Sequence, residues 1–293
     1  MQTTQLKTKQ LGQTGLEITR VGFGAWAIGG GGWEFGWGSQ QDDRSIAAIQ
    51  RALELGVNWI DTAAAYGFGH SEEVVGRALA GVDVRPYVFT KASLLEGPGR
   101  RVVHSLKRDS ILREAHASLQ RLGVDAIDLY QIHWPIPDED IEEGWSAFAE
   151  LKEQGLVRRI GVSNCDVERE ILPFAEQEGI GVIVYSPMGS GLLTGAMSGE
   201  RIARLPEDDW RKHDDRFREP ELSSNLDLVE RIGVVADRHD TVPGAVAIAC
   251  TLRNPAVDGA IVGFRSPEQV DPLVDAANLE LSQQDITTIE EEQ

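Results

Sequence analysis

The chain has 293 residues, 41% of them hydrophobic, which is enough to bury the core of either two modest domains or one α/β barrel. Its 28 basic and 47 acidic residues give a formal net charge of −19, which would repel nucleic-acid phosphates and anionic lipids, so we expect no nucleic acid or membrane partner. The two cysteines, Cys165 and Cys250, lack metal-ligand spacing, and the N-terminus has no apolar signal segment. We therefore expect reduced, buried cysteines and a cytoplasmic protein.

In chain order, short apolar runs that predict strands alternate with amphipathic patterns that predict helices. Residues 10–24 contain a glycine-centred turn, which predicts a small hairpin ahead of a first barrel strand, ITRVGFG. The next helix and strand pairs are SIAAIQRALELG with VNWID, SEEVVGRAL with YVFTK, and RDSILREAHASLQRLG with AIDLYQIH. They are followed by EEGWSAFAELKEQG with VRRIGVSN and by REILPFAEQEG with GVIVYSP.

The remainder of the chain begins with the charged residues 198–220, where we expect a surface loop too polar to pack. Two helices follow, NLDLVERIGVVADRH and PGAVAIACTLRN, and then a last strand, GAIVGF, and a terminal helix that begins near SPEQV. No linker-like segment interrupts the series, so residues 1–293 are predicted to form one domain.

This order of elements predicts a TIM-type (β/α) barrel, with an open doubly wound sheet as the alternative. A doubly wound nucleotide-binding sheet requires G-x-G-x-x-G after the first strand, and the glycine-rich residues 22–38 do not have that spacing. The count of barrel strands is seven rather than eight. Their ends lie near Gly24, Asp61, Lys91, His133, Asn164, Tyr185 and Phe264.

Four ionisable side chains follow consecutive predicted strands. Asp61 ends the second strand and Tyr66 lies in its turn, while Lys91 and His133 end the third and fourth. Each has an ordinary explanation by itself, as a helix cap, a loop aromatic, a solvated lysine or a hydrogen-bonded core histidine. In a barrel, however, these strand ends face one mouth, which predicts that the four act together.

Together these groups make a proton-transfer device. The Lys91 ammonium would lower the pKa of Tyr66, Asp61 would provide the counter-charge, and His133 would bind the substrate oxygen. Donating a proton to oxygen suits carbonyl reduction, and hydride must then come from a nicotinamide cofactor. A metal enzyme is not expected, because His133 and residues 138–140 lack a compact ligand set.

Six motifs, in order along the chain, resemble the aldo-keto reductase superfamily: VNWIDTAAAYG, VFTKAS, LYQIHWP, IGVSN, VIVYSPMGSGLLTG and AIVGFRSPEQV. The resemblance implies a TIM-type barrel capped by an N-terminal hairpin and NADPH-linked reduction of aldehydes or ketones. It also implies Asp61, Tyr66, Lys91 and His133 as a catalytic tetrad in which Tyr66 is the general acid.

The resemblance also implies where NADPH or NADP+ would bind. Ser163 and Asn164 match the pair that binds the nicotinamide carboxamide, and Tyr185 matches the aromatic residue on which that ring stacks. Two further sets match the pyrophosphate loop (Ser186, Met188, Gly189, Gly191 and Leu192) and the adenosine end (Gly263, Arg265, Ser266 and Gln269). Arg265 suits a 2′-phosphate and thus favours NADP(H) over NAD(H). Family members often have an asparagine soon after the glutamine that matches Gln269, and this chain has none there. The residue that would bind the adenine is therefore left open: it is Asp271, Asn278 or neither of them.

The chain departs from the family between Asn164 and Tyr185. Members usually have a further helix and strand there, the strand contributing a glutamine to the nicotinamide site, and the shortfall is about one αβ repeat. Three origins stay open: a naturally shortened member, an engineered or ancestral-type deletion, and a sequence from which a stretch is missing.

Tryptophans are concentrated after the first and fourth predicted strands. Trp26, Trp33 and Trp134, with Phe35 and Trp37, predict an apolar substrate pocket, with ordinary loop packing an equal alternative. An aromatic or apolar aldehyde is the expected substrate, and sugar-derived and quinone carbonyls stay open. Two other functions also stay open: a cofactor-binding regulatory module like the channel β-subunits of this superfamily, and an inactive member impaired by the deletion. Oligomeric state and reaction direction are not predicted.

Overall fold

The computed structural model describes residues 5–164 and 172–290. The expected burial of Cys165 and the predicted beginning of the helix before Leu172 lie outside these residues. The strands are β1 (Thr8–Gln10), β2 (Glu17–Thr19), β3 (Val21–Gly24), β4 (Trp59–Asp61), β5 (Tyr87–Ala92), β6 (Leu94–Glu96), β7 (Val102–His104), β8 (Leu129–Ile132), β9 (Ile160–Val162), β10 (Ile183–Tyr185) and β11 (Gly259–Gly263). The helices are α1 (Asp42–Glu54), α2 (His70–Leu79), α3 (Arg108–Leu122), α4 (Ile141–Glu153), α5 (Leu172–Glu178), α6 (Gly199–Ala203), α7 (Glu221–Arg238), α8 (Pro243–Leu252), α9 (Asp271–Val274) and α10 (Gln283–Glu290).

Seven parallel strands form one sheet, in the order β10-β11-β3-β4-β5-β8-β9. The strands alternate with helices along the chain, as in a TIM-type barrel, so the predicted fold class is confirmed, and residues 5–164 and 172–290 contain the seven barrel strands that were expected. The predicted N-terminal hairpin is also confirmed, because β1 pairs antiparallel with β2. A second hairpin, β6 with β7, was not predicted.

Apolar side chains fill both sides of the sheet. Outside it, helices α1, α2 and α8 bury residues such as Ala48, Val74 and Ile248 against the strands. Inside the sheet, a second group of apolar side chains packs on the hairpin turn: Trp59, Phe89 and Leu129 of the strands contact Leu11 and Leu16 of the turn. The hairpin turn therefore closes the end of the barrel formed by the amino ends of the strands. The open side is therefore the mouth formed by the carboxyl ends, where the predicted functional residues lie.

The sheet is not closed into a ring among the described residues, because β9 pairs only with β8 and β10 pairs only with β11. This seam lies where one αβ repeat was predicted to be missing. Val162, at the end of β9, is exposed, and Tyr185, at the end of β10, is 58% exposed. The Tyr185 hydroxyl donates to Asn164 Oδ1 at 3.0 Å, so a side-chain hydrogen bond joins the two strand ends.

The prediction of an unpacked surface loop at 198–220 was wrong. Asp209 and Arg211 are buried and neutralise each other through a bidentate ion pair. Phe217 is buried with Leu192, Met197, Ile202 and Leu222. Pairing offsets much of the cost of burying the two charges, and the apolar side chains interspersed in the segment then supply a small core.

Candidate active site

The Lys91 ammonium lies at the centre of the barrel mouth, at the end of β5. Its Nζ donates to Asp61 Oδ1 at 2.5 Å and to the Thr62 carbonyl oxygen at 2.9 Å, and both charged side chains are almost fully buried. Burial disfavours the ammonium, but Asp61 and then Tyr66 outweigh it and raise the pKa of Lys91. Lys91 therefore carries a positive charge inside the site at neutral pH.

Tyr66 lies in the turn after β4, directly above the lysine. Gly67 makes that turn with a positive φ of 66°, and a Cβ there would overlap the Gly29 carbonyl oxygen. The Tyr66 hydroxyl is 3.5 Å from Lys91 Nζ. Burial raises the pKa of Tyr66, although Lys91 acts in the opposite direction. Lys91 thus acts in the predicted direction, but the cost of desolvating a phenolate, which the sequence did not reveal, is larger than the gain from one ammonium.

His133, one residue past the end of β8, completes the cluster. Its ring lies edge-on to that of Tyr66, with 5.6 Å between the centroids. It is 8% exposed, and its Nδ1 has no hydrogen-bond partner among the described residues. Burial and then the Lys91 charge hold the pKa of His133 well below its usual value. The imidazole is therefore neutral.

The sequence did not single out Gln131, which belongs to the same cluster. It lies on β8 opposite Lys91 of β5, and its Nε2 is 3.4 Å from Asp61 Oδ2. The alternation of side chains in LYQIH places it on the inner face with His133, a signal that could have identified it. Gln131 thus donates a hydrogen bond to the Asp61 carboxylate oxygen that Lys91 does not bind.

The predicted nicotinamide residues meet across the seam. Asn164 adopts a positive φ of 59° and donates from Nδ2 to the His133 carbonyl oxygen at 2.8 Å and to Ser163 Oγ at 3.3 Å. Tyr185 binds Asn164 through its hydroxyl and lines the same cavity. The three predicted residues are thus brought together beside the cluster.

Only part of the predicted pyrophosphate loop lines the cavity. Ser186, Met188 and Gly191 do so, with Gly191 in a left-handed conformation at a φ of 92°. Leu192 packs in the small core beneath, and Gly189 is not part of the cavity wall. The Arg211 guanidinium, absent from the prediction, reaches this loop and donates to the Ser190 carbonyl oxygen at 3.3 Å.

At the predicted adenosine end, Arg265 is held by the loop that follows β3. Its Nε donates to Gln40 Oε1 at 2.9 Å and its Nη2 to the Ser39 carbonyl oxygen at 2.8 Å. Gln269 accepts from the Arg265 backbone N–H at 2.8 Å. Arg265 and Gln269 line the cavity with Gly263 and Ser266, so all four predicted residues lie together there.

Aromatic side chains form one wall of the mouth. Trp26 stacks on Trp210 with 5.3 Å between the ring centroids and lies 6.3 Å from Tyr66. Trp33 and the 40% exposed Trp134 line the cavity, and their role in a substrate pocket stays a prediction. Trp210 does not line the cavity but supports Trp26 by stacking on it, a contact that the sequence analysis missed because Trp210 lies in the segment expected to be a surface loop.

The cluster, the seam and the aromatic wall share one cavity of 2520 Å³. The described residues contain no cluster of three or more histidine, cysteine or acidic side chains suited to a metal ion. Over the same part of the chain, no helix is both long and apolar enough to span a membrane.

Comparison with known proteins gave a consistent result. The model of the Aldo/keto reductase family matches residues 20–170 and 165–292. Aldo-keto reductase YhdN of Bacillus subtilis is 35% identical over an alignment that takes in 95% of this chain and 92% of the relative. The alignment has 311 positions, more than the 293 residues of this chain, so the relative has residues without a counterpart here.

Two further proteins cover nearly the whole chain. The NADH-specific methylglyoxal reductase of Escherichia coli is 32% identical over 98% of each chain. The structure of glycerol dehydrogenase AKR11B4 from Gluconobacter oxydans superposes with a TM-score of 0.84, at 32% identity, and covers 99% of this chain and 95% of its own.

Proposed function

The chain belongs to the aldo/keto reductase family of carbonyl oxidoreductases, and from this premise we propose that it reduces aldehydes or ketones with NADPH, with Tyr66 as the general acid. The observation that carries the proposal is the buried ion pair of Lys91 and Asp61 beneath the Tyr66 hydroxyl, beside a neutral His133. A phenol next to a fixed ammonium can donate its proton to an oxygen on which negative charge develops.

Each of the four side chains has one role. Tyr66 donates the proton from Oη to the carbonyl oxygen of the substrate. Lys91 stabilises the phenolate that forms, and Asp61 keeps the ammonium charged and oriented. The neutral His133 donates a hydrogen bond to the same substrate oxygen, and its low pKa prevents it from adding a second cation beside Lys91.

The residues around the cluster fit a nicotinamide nucleotide. Tyr185 offers an exposed ring, held by Asn164, and Ser163 lies beside it with further polar atoms. Of the predicted pyrophosphate loop, Ser186, Met188 and Gly191 line the cavity and would hold the pyrophosphate, and Gly263, Arg265, Ser266 and Gln269 would hold the adenosine. When bound, the nicotinamide supplies the hydride that no side chain can provide. The aromatic wall excludes water from the reacting atoms and favours an aromatic or apolar aldehyde.

The test of this proposal has two steps. NADPH is first titrated against the tryptophan fluorescence of the protein, and NADPH oxidation is then followed with 4-nitrobenzaldehyde and a panel of ketones. We expect saturable quenching and turnover. Binding without turnover would favour the cofactor-binding regulatory module, and the absence of binding would favour an inactive member. A cytoplasmic location stays a prediction.

The preference for NADPH over NADH rests on Arg265. Replacing it with Ala is expected to raise the KM for NADPH about tenfold or more, because a charge-assisted hydrogen bond to the 2′-phosphate is lost. The KM for NADH should not change. Steady-state kinetics with both cofactors measure the difference, and Arg231→Ala, which removes a half-buried arginine bound to the Ile289 carbonyl oxygen, is the matched control. Equal effects on both cofactors, or a wild-type enzyme that prefers NADH, would refute the assignment.

A further inference from the structure

Ser93 follows β5 directly and is two residues from Lys91. It is fully buried and has a φ of +86°, in the left-handed region that side chains other than glycine rarely adopt. Such a conformation persists only where the surroundings impose it, and it is most frequent at functional sites.

The hydrogen bonds of Ser93 account for this conformation. Its Oγ lies 3.3 Å from the Trp134 backbone N–H, which donates to it, and 3.2 Å from the Trp134 carbonyl oxygen, to which it donates. Its backbone N–H donates to Glu114 Oε2 at 3.2 Å, and its carbonyl oxygen accepts from the Ser105 N–H at 3.0 Å. The residue thus links the end of β5, the turn after β8 and helix α3.

The turn that Ser93 holds contains the predicted substrate-binding side chains. The His133 N–H donates to the Ala92 carbonyl oxygen at 2.9 Å, immediately before the contact of Trp134 with Ser93. The pairing of β5 with β8 ends at Ala92 and Ile132, so these two adjacent contacts extend the connection past the ladder into the turn that carries His133 and Trp134. The position of this turn relative to Lys91 therefore depends in part on Ser93.

Glu114, on α3, fixes Ser93 from behind. It is 8% exposed, and its second oxygen accepts from Ser110 Oγ at 3.3 Å. Burial raises the pKa of Glu114 to about 8. A neutral acid can accept from the Ser93 N–H without placing a second carboxylate charge near Glu72, and Glu114 is therefore suited to a structural role inside the fold.

We propose that Ser93 is a positioning residue for carbonyl reduction, which fixes His133 and Trp134 relative to Lys91 and is itself held by Glu114. The inference rests on the proposed function, since it assigns Ser93 to the proton-donating site. Ser93 contacts none of the predicted cofactor residues, and it reaches the substrate wall only through the backbone of Trp134. Its effect must therefore appear in kcat far more than in cofactor binding.

Ser93→Ala tests the proposal, because it removes both contacts with Trp134 and keeps the backbone N–H that binds Glu114. The expected result is a kcat about tenfold to a hundredfold lower, from displacement of the catalytic groups, with the Kd for NADPH nearly unchanged. Ser118→Ala is the matched control: Ser118 is also a fully buried serine, and its Oγ accepts from Arg121 at 3.4 Å, away from the site. The control should lose stability without losing kcat.

Two variants of Glu114 extend the test. Glu114→Ala should reproduce the kinetic defect of Ser93→Ala, and Glu114→Gln should restore kcat, because its amide oxygen can still accept from Ser93. A wild-type kcat in Ser93→Ala, or a Glu114→Gln enzyme as slow as Glu114→Ala, would overturn the proposal.

Hydrogen exchange separates this inference from the proposed function. In Ser93→Ala, and not in Ser118→Ala, the amides of residues 131–134 and 136 should exchange faster, a result that requires no turnover. A wild-type protein without reductase activity would refute the proposed function. Unchanged exchange at residues 131–134 and 136 in Ser93→Ala would refute the positioning role whether or not the wild type is active.

Discussion

Tyr66→Phe is expected to lower kcat for aldehyde reduction by a factor of about 10²–10⁴, the usual contribution of a positioned proton donor. The substitution removes one oxygen atom and retains the ring that packs against Trp26 and His133. The Kd for NADPH should therefore change little. Fluorescence titration and single-turnover kinetics with saturating NADPH measure the two quantities separately.

Tyr130→Phe is the matched control for this prediction. Tyr130 lies on β8, is fully buried, and its hydroxyl has no hydrogen-bond partner among the described residues. Removing that hydroxyl should leave kcat unchanged and should not lower the free energy of unfolding, because no hydrogen bond is lost. If Tyr66→Phe keeps the wild-type kcat, another group donates the proton and the role given to Tyr66 is wrong.

Lys91→Met is expected to lower the free energy of unfolding by about 3–5 kcal/mol as well as abolishing reduction. The Asp61 carboxylate would remain fully buried, with only Gln131 near it at 3.4 Å. An uncompensated buried charge is costly, and part of that cost can be avoided only by protonating the carboxyl group. Urea unfolding at neutral pH measures the loss, which should diminish as the pH is lowered and Asp61 takes up a proton.

The double variant Lys91→Met/Asp61→Asn separates stability from chemistry. With both charges removed, most of the lost free energy of unfolding should return, because no buried charge remains unpaired. Reductase activity should stay absent, since no ammonium is left to stabilise the Tyr66 phenolate. A Lys91→Met protein as stable as the wild type would mean that the ion pair is not buried as described. Recovery of activity in the double variant would remove Lys91 from the mechanism.

The sequence was sufficient to predict the barrel and its seven strands. Each strand was a short apolar run ended by a glycine or a polar residue, and each helix had one apolar face. Because parallel strands place their carboxyl ends together, the positions of Asp61, Lys91 and His133 along the chain were enough to predict that they meet. The structure brings these residues together with Tyr66.

The features that the sequence did not reveal depend on contacts between distant segments. The stacking of Trp210 on Trp26 could not be predicted, because the burial of the charged neighbours of Trp210 requires the ion pair of Asp209 with Arg211. The direction of the pKa shift of Tyr66 depends on how deeply the phenol is buried, which no local pattern reports. Nothing in the sequence distinguishes Ser93 from other serines, because its positive φ and its contacts with Trp134 appear only in the structure.

The seam between β9 and β10 is the feature in which this chain differs most from a closed barrel. The hydrogen bond between Tyr185 and Asn164 crosses it beside the proposed nicotinamide site, while Lys91, Asp61 and His133 lie on β5, β4 and the end of β8, away from it. The proton-donating cluster is thus built on strands that keep both neighbours. On this basis we expect chemistry at Tyr66 to be retained in the shortened barrel.

The most direct test of the central claim is the stoichiometry of the reaction catalysed by the wild-type protein. NADPH oxidation is followed by absorbance, and 4-nitrobenzyl alcohol formed from 4-nitrobenzaldehyde is quantified by chromatography in the same samples. We predict equal amounts of NADP+ and alcohol from the wild type and neither, above background, from Tyr66→Phe. Saturable NADPH binding with no alcohol formed from any aldehyde or ketone of the panel would contradict the claim that this chain is a carbonyl reductase.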